Sequence, residues 1–266
     1  MSRFLTYVDA VPGRLYPLVP TLQELCRRGH HVTVRAGINE VQSLRSIGLE
    51  AEPLAKPIER FKPEDWRART RFGALMSGLR QFGERAHAQA EDLANAISDV
   101  QPDVLFIDEG AWGAAATGER SGLPWAFSLV SAIPLSSRDA PPFGLGLRPR
   151  HDAVGRLRDR VLGRLTLGTL ERIIASHLNL PRAELGLPLF SKIDEFYLAA
   201  DLVLAFTAEP FEYPRSDSSS NVRLVGPGLL EPPAEAPSWL ADVQRPLVLV
   251  TCSTRFQNDS SPTSPA

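Results

Sequence analysis

The sequence predicts an α/β fold, a Rossmann-like parallel sheet with helices on both faces. Short apolar runs alternate along the 266 residues with stretches whose apolar residues recur at helical spacing. This alternation is typical of parallel strands joined by right-handed crossovers. Gly29 and Gly48 each stand just after a helical stretch, where a helix C-cap belongs. With 43% hydrophobic and 23% charged residues, the chain has the composition of a globular protein.

Seven short segments are predicted to be strands, because each is rich in aliphatic, aromatic or β-branched residues. Most of them are followed by a loop or turn and then by a helical stretch, as parallel crossovers require. In chain order the predicted strands are Phe4–Val8, His31–Arg35, Leu49–Leu54, Asp103–Ile107, Trp125–Leu129, Leu202–Phe206 and Val222–Val225.

Five helical stretches are predicted from apolar residues that recur three or four positions apart. Pro17 suits the first turn of the earliest one, because the N–H that proline lacks would be unpaired there. The charged segment 56–65 and the proline-containing segment 130–150 lack this period and are predicted to be loops. The predicted helices are Pro17–Arg28, Asn39–Ile47, Trp66–Val100, Ala111–Arg120 and His151–His177.

The carboxy-terminal part of the chain changes in character. Residues 1–225 are predicted to form the Rossmann-like domain, and residues 226–245 carry Gly-Pro-Gly, Glu-Pro-Pro and Ala-Pro-Ser runs typical of an extended linker. Residues 246–266 begin with the apolar run Leu247–Thr251, which resembles the first strand of a second domain. The polar residues 258–266 that follow are expected to be disordered.

Charge and cysteine content exclude several function classes. The 29 Lys and Arg against 31 Asp and Glu give a net charge of −2, which argues against a nucleic-acid partner. No run of about 18 apolar residues is present, so no membrane span is predicted. Asp9 interrupts the first apolar run, which is too short for a signal peptide. Two distant cysteines, Cys26 and Cys252, indicate a reducing compartment, and we expect a cytoplasmic protein.

No metal site is predicted. Among the five histidines only His30 and His31 are neighbours, and adjacent residues of a strand point to opposite faces. A separate feature is the basic stretch around the predicted helix 151–177. It suits a solvated helix face or a contact with an acidic membrane surface or partner. Its arginines are Arg148, Arg150, Arg156, Arg158, Arg160 and Arg164.

Three loops are candidates for a site, because ligands of an open parallel sheet bind beyond the carboxyl ends of the strands. Residues 9–17 hold a single glycine rather than the G-x-G-x-x-G of a dinucleotide site, so this loop is either a plain turn or part of another kind of site. Asp108 and Glu109 follow the fourth predicted strand, where a carboxylate can act as a base. A helix N-cap by Asp108 is the equal alternative. Ser131, after the fifth strand, is expected to line the same cleft.

Four segments together resemble the UDP-glycosyltransferase superfamily, in particular the bacterial enzymes of the macrolide and glycopeptide type. Their order and spacing match over about residues 3–257. Each segment alone is a weak signal, whereas the set of four is specific. The segments are Pro12–Val34, Pro102–Asp108 with Gly122–Trp125, Leu178–Pro188 and Asn221–Pro227.

The resemblance implies the amino-terminal half of a GT-B fold, in which two Rossmann-like domains face each other across a cleft. In that family the amino-terminal domain binds the acceptor and the other domain binds the nucleotide sugar. The implied reaction is inverting transfer of a hexose from a nucleotide-diphosphate sugar, a co-substrate, to an acceptor hydroxyl. It needs no metal ion and no further cofactor. We place Arg14, Tyr16, Trp112 and Ser131 as candidate acceptor-binding residues.

The sequence departs from the family at the base. The family uses a histidine in the first loop, assisted by an aspartate after the fourth strand. Arg14 occupies the histidine position, and Asp108 matches the aspartate. A guanidinium stays protonated and has no acceptor atom, so Arg14 is not the base. The hypothesis is that Asp108 or Glu109 takes the proton directly, while Arg14 orients a carboxylate.

A second departure concerns the donor half. Residues 247–254 and the pair Phe256–Gln257 resemble the start of a donor domain, and beyond them the resemblance stops. We therefore expect a truncated glycosyltransferase that is inactive alone. The alternative is an acceptor-binding half that needs a separate donor-binding chain. The expected partner is then a donor-domain chain or a second copy in a homodimer. A nucleotide-dependent oxidoreductase is a third possibility, disfavoured by the missing glycine fingerprint.

The expected acceptor is a small, apolar, hydroxylated molecule such as a natural product or a lipid. Apolar residues of the two long helical stretches are candidates for the wall of its pocket, and packing in the protein core explains them equally well. These residues are Phe72, Leu75, Met76, Leu79, Phe82, Leu157, Leu165 and Leu167.

Overall fold

The computed structural model describes residues 1–60, 67–150, 152–163, 168–230, 235, 237–243 and 248. Its centre is one sheet of seven parallel strands in the order β3-β2-β1-β4-β5-β6-β7. The strands are β1 (Arg3–Tyr7), β2 (His31–Ala36), β3 (Glu50–Pro53), β4 (Val104–Asp108), β5 (Trp125–Leu129), β6 (Leu202–Ala205) and β7 (Val222–Leu224).

Helices connect these strands as crossovers. A 3-10 turn, Tyr16–Leu18, separates the first two helices, and a second one spans Ser238–Asp242. The helices of the described residues are α1 (Pro12–Leu15), α2 (Val19–Arg27), α3 (Ile38–Ser46), α4 (Lys56–Glu59), α5 (Arg71–Val100), α6 (Trp112–Ser121), α7 (Ala153–Leu162), α8 (Gly168–Glu184) and α9 (Ile193–Tyr197).

The predicted fold class is confirmed. All seven predicted strands are present, and each of their ends lies within one residue of the predicted end. The helices differ more. The stretch predicted as 151–177 contains both α7 and α8, and α8 continues to Glu184 through Pro181. The short helices α1, α4 and α9 were not predicted, because four or five residues are too few to show a helical period.

Apolar residues form a separate core on each face of the sheet. Alternate residues of a strand point to opposite faces, so Leu5 and Tyr7 pack toward α5 and α6, while Val8 packs toward α2 and α3. The first core contains Leu93 of α5 and Trp112 of α6. Helices therefore cover both faces, as expected for a parallel sheet.

Helices α5 and α6 approach each other closely beside the candidate loops. A Cβ added at Gly113 would lie 1.6 Å from the carbonyl oxygen of Ala86, so only glycine fits at this crossing. The amide of Gly113 also donates to the side-chain oxygen of Gln89 at 3.2 Å. This contact holds the first turn of α6 against the middle of α5.

The strand order places a crevice between β1 and β4. The chain runs outward from β1 to β2 and β3, then returns to β4 on the other side of β1. At such a topological switch point the loops that follow the two central strands diverge and leave room for a ligand. Here these loops are residues 8–11, after β1, and residues 109–111, after β4.

After β7 the chain crosses back over the domain. A Cβ at Gly228 would lie 1.8 Å from the carbonyl oxygen of Pro17, and Leu230 packs against the core on the α2 and α3 side. The first residues of the predicted linker 226–245 thus contact the domain. The predicted strand Leu247–Thr251, apart from Val248, and the tail 258–266 lie outside the described residues.

Candidate functional site

Charged side chains cluster at the carboxyl ends of β1, β4 and β5. Asp9 comes from the end of β1, Arg14 from α1, Asp108 and Glu109 from the end of β4, and Ser131 from the loop after β5. Both Asp108 and Glu109 are buried, and Arg14 is largely buried between them. The structure thus brings together four of the residues named from the sequence, Arg14, Asp108, Glu109 and Ser131.

Asp108 has both carboxylate oxygens occupied. Arg14 Nη1 lies 3.4 Å from Oδ1, and the amide of Gly110 donates to Oδ2 at 3.1 Å. A Cβ at Gly110 would lie 2.8 Å from Arg14 Nη1, so the absent side chain makes room for the guanidinium. The N-cap interpretation of Asp108 is wrong, since α6 begins after Ala111 and has no side-chain cap.

Glu109 is the carboxylate nearer to solvent. Its Oε1 lies 3.5 Å from Arg14 Nη1, and Ser131 Oγ donates to its Oε2 at 2.9 Å. Ser131 itself is exposed. Burial raises the pKa of Glu109 from its usual 4.5 to about 7, because the lowering effects of Arg14 and Ser131 are smaller and Asp108 acts against them.

Asp108 is electrostatically similar. Complete burial is the largest influence and raises the pKa of Asp108 above its ordinary value. Arg14 and the Gly110 amide pull it down, and the charge of Asp9 pushes it up. Two adjacent carboxylates therefore share one guanidinium in a poorly hydrated site, so that both bind protons more tightly than in water.

Arg14 is held as a cation. Burial disfavours its charge, but Asp108 and Glu109 outweigh that effect and raise the pKa of Arg14 further above its usual range. Its guanidinium carbon also lies 5.5 Å from the ring centroid of Phe82. The guanidinium therefore stays positively charged between the two carboxylates, and its role in a reaction stays a prediction.

Helix α5 contributes residues that the sequence analysis missed. Arg85 Nη1 lies 2.6 Å from Asp9 Oδ1, and Gln89 Nε2 donates to the same oxygen at 3.4 Å. Asp9 Oδ2 is buried and has no hydrogen-bond partner among the described residues. Phe82, Arg85 and Gln89 are three and four positions apart, so they lie on one face of α5. The sequence analysis named Phe82 but missed Arg85 and Gln89, because helical spacing alone does not show which face of α5 meets the sheet.

Trp112 and Tyr16 occupy different surroundings. Trp112 is buried and stacks on Phe82, with ring centroids 5.1 Å apart, so it supports the wall behind Arg14. Tyr16 lies in the 3-10 turn after α1 and is 36% exposed. Direct contact of either side chain with an acceptor stays a prediction.

The residues named as candidates for an apolar pocket differ in their burial. Leu79 is buried in the core on the α5 side, and Met76 and Phe82 pack against that core. Leu157 is 58% exposed on α7 and belongs to neither core. The side chains of the remaining four lie outside the described residues; these are Phe72, Leu75, Leu165 and Leu167.

Two cavities bounded in part by α6 contain none of the site's carboxylates. One, of about 10 Å³, is behind Trp112 and is bounded by Phe196 and Arg182, so it has room for a single water molecule. The other, about 480 Å³, opens between α5, α6 and α8 beside His87. The described part of the chain contains neither a His, Cys, Asp or Glu group suited to a metal ion nor a helix long and apolar enough to span a membrane.

Comparison with known proteins places these features in context. No protein-family model matches the chain. The 4'-demethylrebeccamycin synthase of Lentzea aerocolonigenes is 34% identical over an alignment of 267 residues, which covers 95% of this chain and 63% of that protein. The chain therefore spans less than two thirds of this relative.

Solved structures show the same fold at lower identity. The calicheamicin glycosyltransferase CalG4 has a TM-score of 0.60 at 18% identity, over 89% of this chain and 55% of that chain. The spinosyn rhamnosyltransferase SpnG, solved with thymidine diphosphate, has a TM-score of 0.57 at 15% identity, over 89% of this chain and 53% of that one. The resemblance drawn from the four sequence segments is confirmed.

Proposed function

We propose, from the confirmed likeness to natural-product glycosyltransferases, that this chain is the acceptor-binding portion of such an enzyme. The complete enzyme would transfer a hexose from a nucleotide-diphosphate sugar to a hydroxyl of a small apolar acceptor, with inversion. The observation that carries the proposal is the 34% identity to 4'-demethylrebeccamycin synthase along 95% of the chain. The carboxylate pair at the switch point, where such folds bind ligands, supports it.

Glu109 is the proposed base. Its pKa near 7 suits a group that is ionised at neutral pH and still accepts a proton readily. The acceptor hydroxyl would give its proton to a Glu109 carboxylate oxygen while its own oxygen attacks the anomeric carbon. The bond from that carbon to the diphosphate breaks as the new glycosidic bond forms, and the diphosphate leaves with the electron pair.

Asp108 is proposed to position Arg14 rather than to accept the proton. It is fully buried, and both of its oxygens already accept hydrogen bonds. The fixed guanidinium then lies 3.5 Å from Glu109 and stabilises the ionised form of that residue. Arg14 would thus replace the family's histidine with a charge, and Glu109 would supply the missing basicity.

The donor site is proposed to lie on a second domain. In the synthase, the part of the chain beyond the match would form this donor-binding domain. SpnG was solved with thymidine diphosphate, a nucleotide diphosphate. In this protein the donor domain would come from a longer form of the chain, from a separate chain or from a second copy. The two cysteines of the sequence favour a cytoplasmic location.

Acceptor binding tests the proposal on the chain itself. We expect calorimetric titration with a panel of apolar hydroxylated aromatics to reveal one saturable site. Glu109→Leu should weaken that binding about tenfold or more, because the hydroxyl loses a charged hydrogen-bond acceptor.

Glu184→Gln is the matched control, since Glu184 is an exposed glutamate that pairs with His87 outside the site. It should bind like the parent. Affinity that is unchanged in a folded Glu109→Leu variant would place the acceptor elsewhere and would contradict the assignment.

A further inference from the structure

Helix α7 presents an apolar stripe to solvent. Val154, Leu157 and Val161 are 63%, 58% and 45% exposed. At about 100° per residue these three positions fall within about 60° of arc on one side of the helix. Gly155, by contrast, is buried against residues of the preceding loop, where a Cβ would meet Arg150 and Asp152. The stripe is therefore an exposed apolar face of a helix that contacts the loop preceding it.

Arginines flank this stripe on both sides. Arg158 follows it on one side, and Arg156 and Arg160 lie on the other. The neighbouring loop adds Arg148 and Arg150, and Arg158 Nη2 ties that loop to α7 by donating to the carbonyl of Arg148 at 2.8 Å.

The segment carries a local excess of positive charge. Residues 148–163 hold five arginines and two aspartates, so their net charge is 5 − 2 = +3. Both aspartates are already paired, Asp152 with Arg150 and Asp159 with Arg158. The whole chain, at −2, has the opposite sign. The basic surface is thus a localised feature, not a reflection of overall composition.

We propose that α7 is an interfacial helix that docks on an anionic lipid surface. Its aliphatic stripe would enter the headgroup region, while the flanking arginines contact acidic headgroups, a pattern typical of membrane-surface helices. The helix lies on the membrane and does not cross it. The proposal is independent of glycosyl transfer.

Charge complementarity selects this occupant over a second copy of the chain. A symmetric dimer through α7 would bring two segments of +3 together, and like charges in an interface are unfavourable. An acidic protein partner is disfavoured because α7 has no Trp or Tyr, the residues that anchor most protein interfaces. An anionic bilayer satisfies the aliphatic stripe and the arginines at once.

Vesicle co-sedimentation tests the proposal with the purified 266-residue chain. We expect binding to phosphatidylcholine vesicles containing about 30% phosphatidylglycerol at about 0.1 M salt, and loss of binding at about 1 M salt. Pure phosphatidylcholine vesicles should retain little protein. The double variant Arg156→Gln/Arg160→Gln should weaken binding tenfold or more, at about fivefold per arginine.

Leu157→Asp should also weaken binding about tenfold, because an inserted aliphatic side chain is lost. Leu189→Asp is the matched control, since Leu189 is 59% exposed outside α7, and it should bind like the parent. Equal binding to neutral vesicles, or no binding to either kind, would overturn the proposal. The proposal would also be overturned if the chain bound no vesicles and instead formed concentration-dependent dimers that Leu157→Asp abolishes. That result would identify α7 as a contact between copies.

Discussion

Replacing Glu109 by Gln is expected to lower glycosyl transfer by about 10²- to 10⁴-fold, the usual contribution of a general base. The assay needs a donor domain, so it uses a joined form in which residues 1–245 precede the part of 4'-demethylrebeccamycin synthase that follows the position aligned with residue 245. The glutamine keeps an oxygen that can accept the acceptor's hydrogen bond but cannot take its proton. The loss should therefore appear in kcat, with KM for the acceptor nearly unchanged.

Asp108→Asn in the same joined form separates the two carboxylates. If Asp108 only positions Arg14, its amide variant should retain more activity than Glu109→Gln, and its pH profile should shift because Arg14 no longer has a fixed partner. Glu184→Gln should leave the rate unchanged. A Glu109→Gln enzyme with the parent's kcat would rule out Glu109 as the base.

The free energy of unfolding of the chain is expected to fall as pH rises from about 4.5 to about 7. Glu109 has a raised pKa in the folded state, so the folded protein binds its proton more tightly than the unfolded chain does. Its stabilising contribution is complete below about 4.5 and is lost as pH rises through about 7. The shift from 4.5 to about 7 corresponds to about 3 kcal/mol.

Urea unfolding followed by circular dichroism at pH 5 and pH 8 measures this effect. Asp108 shares the direction of the shift, and so does His87, whose pKa the carboxylates of Glu184 and Glu91 raise. The informative quantity is thus the difference between variants. Glu109→Gln should lose much less stability between the two pH values than the parent does, whereas His87→Gln should largely retain the parent's loss. Parallel curves for Glu109→Gln and the parent would show that Glu109 titrates normally.

Local sequence patterns predict most of the fold because each strand and long helix carries its own period. β5, for instance, is an apolar run that coincides with its predicted bounds, Trp125–Leu129. The failures have a physical reason. α1 and α4 are single turns stabilised by the fold around them, and α4 lies in a charged segment that resembles a loop.

The sequence predicts those site residues that lie in a loop directly after a strand, and it does not predict those that lie within a long helix. Asp108 and Glu109 stand directly after an apolar run, and parallel topology brings that end toward Arg14. Arg85 and Gln89 lie within a 30-residue helix, and nothing local shows which face of that helix meets the sheet. The raised pKa of Glu109 likewise depends on burial by distant segments, which sequence spacing does not reveal.

Product formation by the joined form tests the central claim most directly. It would be incubated with a nucleotide-diphosphate hexose and the acceptors that bind the isolated chain, and the mixture would be analysed by mass spectrometry. The control is the intact synthase, which must be active with its own acceptor. We predict an acceptor that carries one added hexose, formed only when donor and protein are both present. A folded joined form that binds the donor and the acceptors but adds no sugar, beside an active control, would contradict the assignment of this chain as the acceptor-binding portion of a glycosyltransferase.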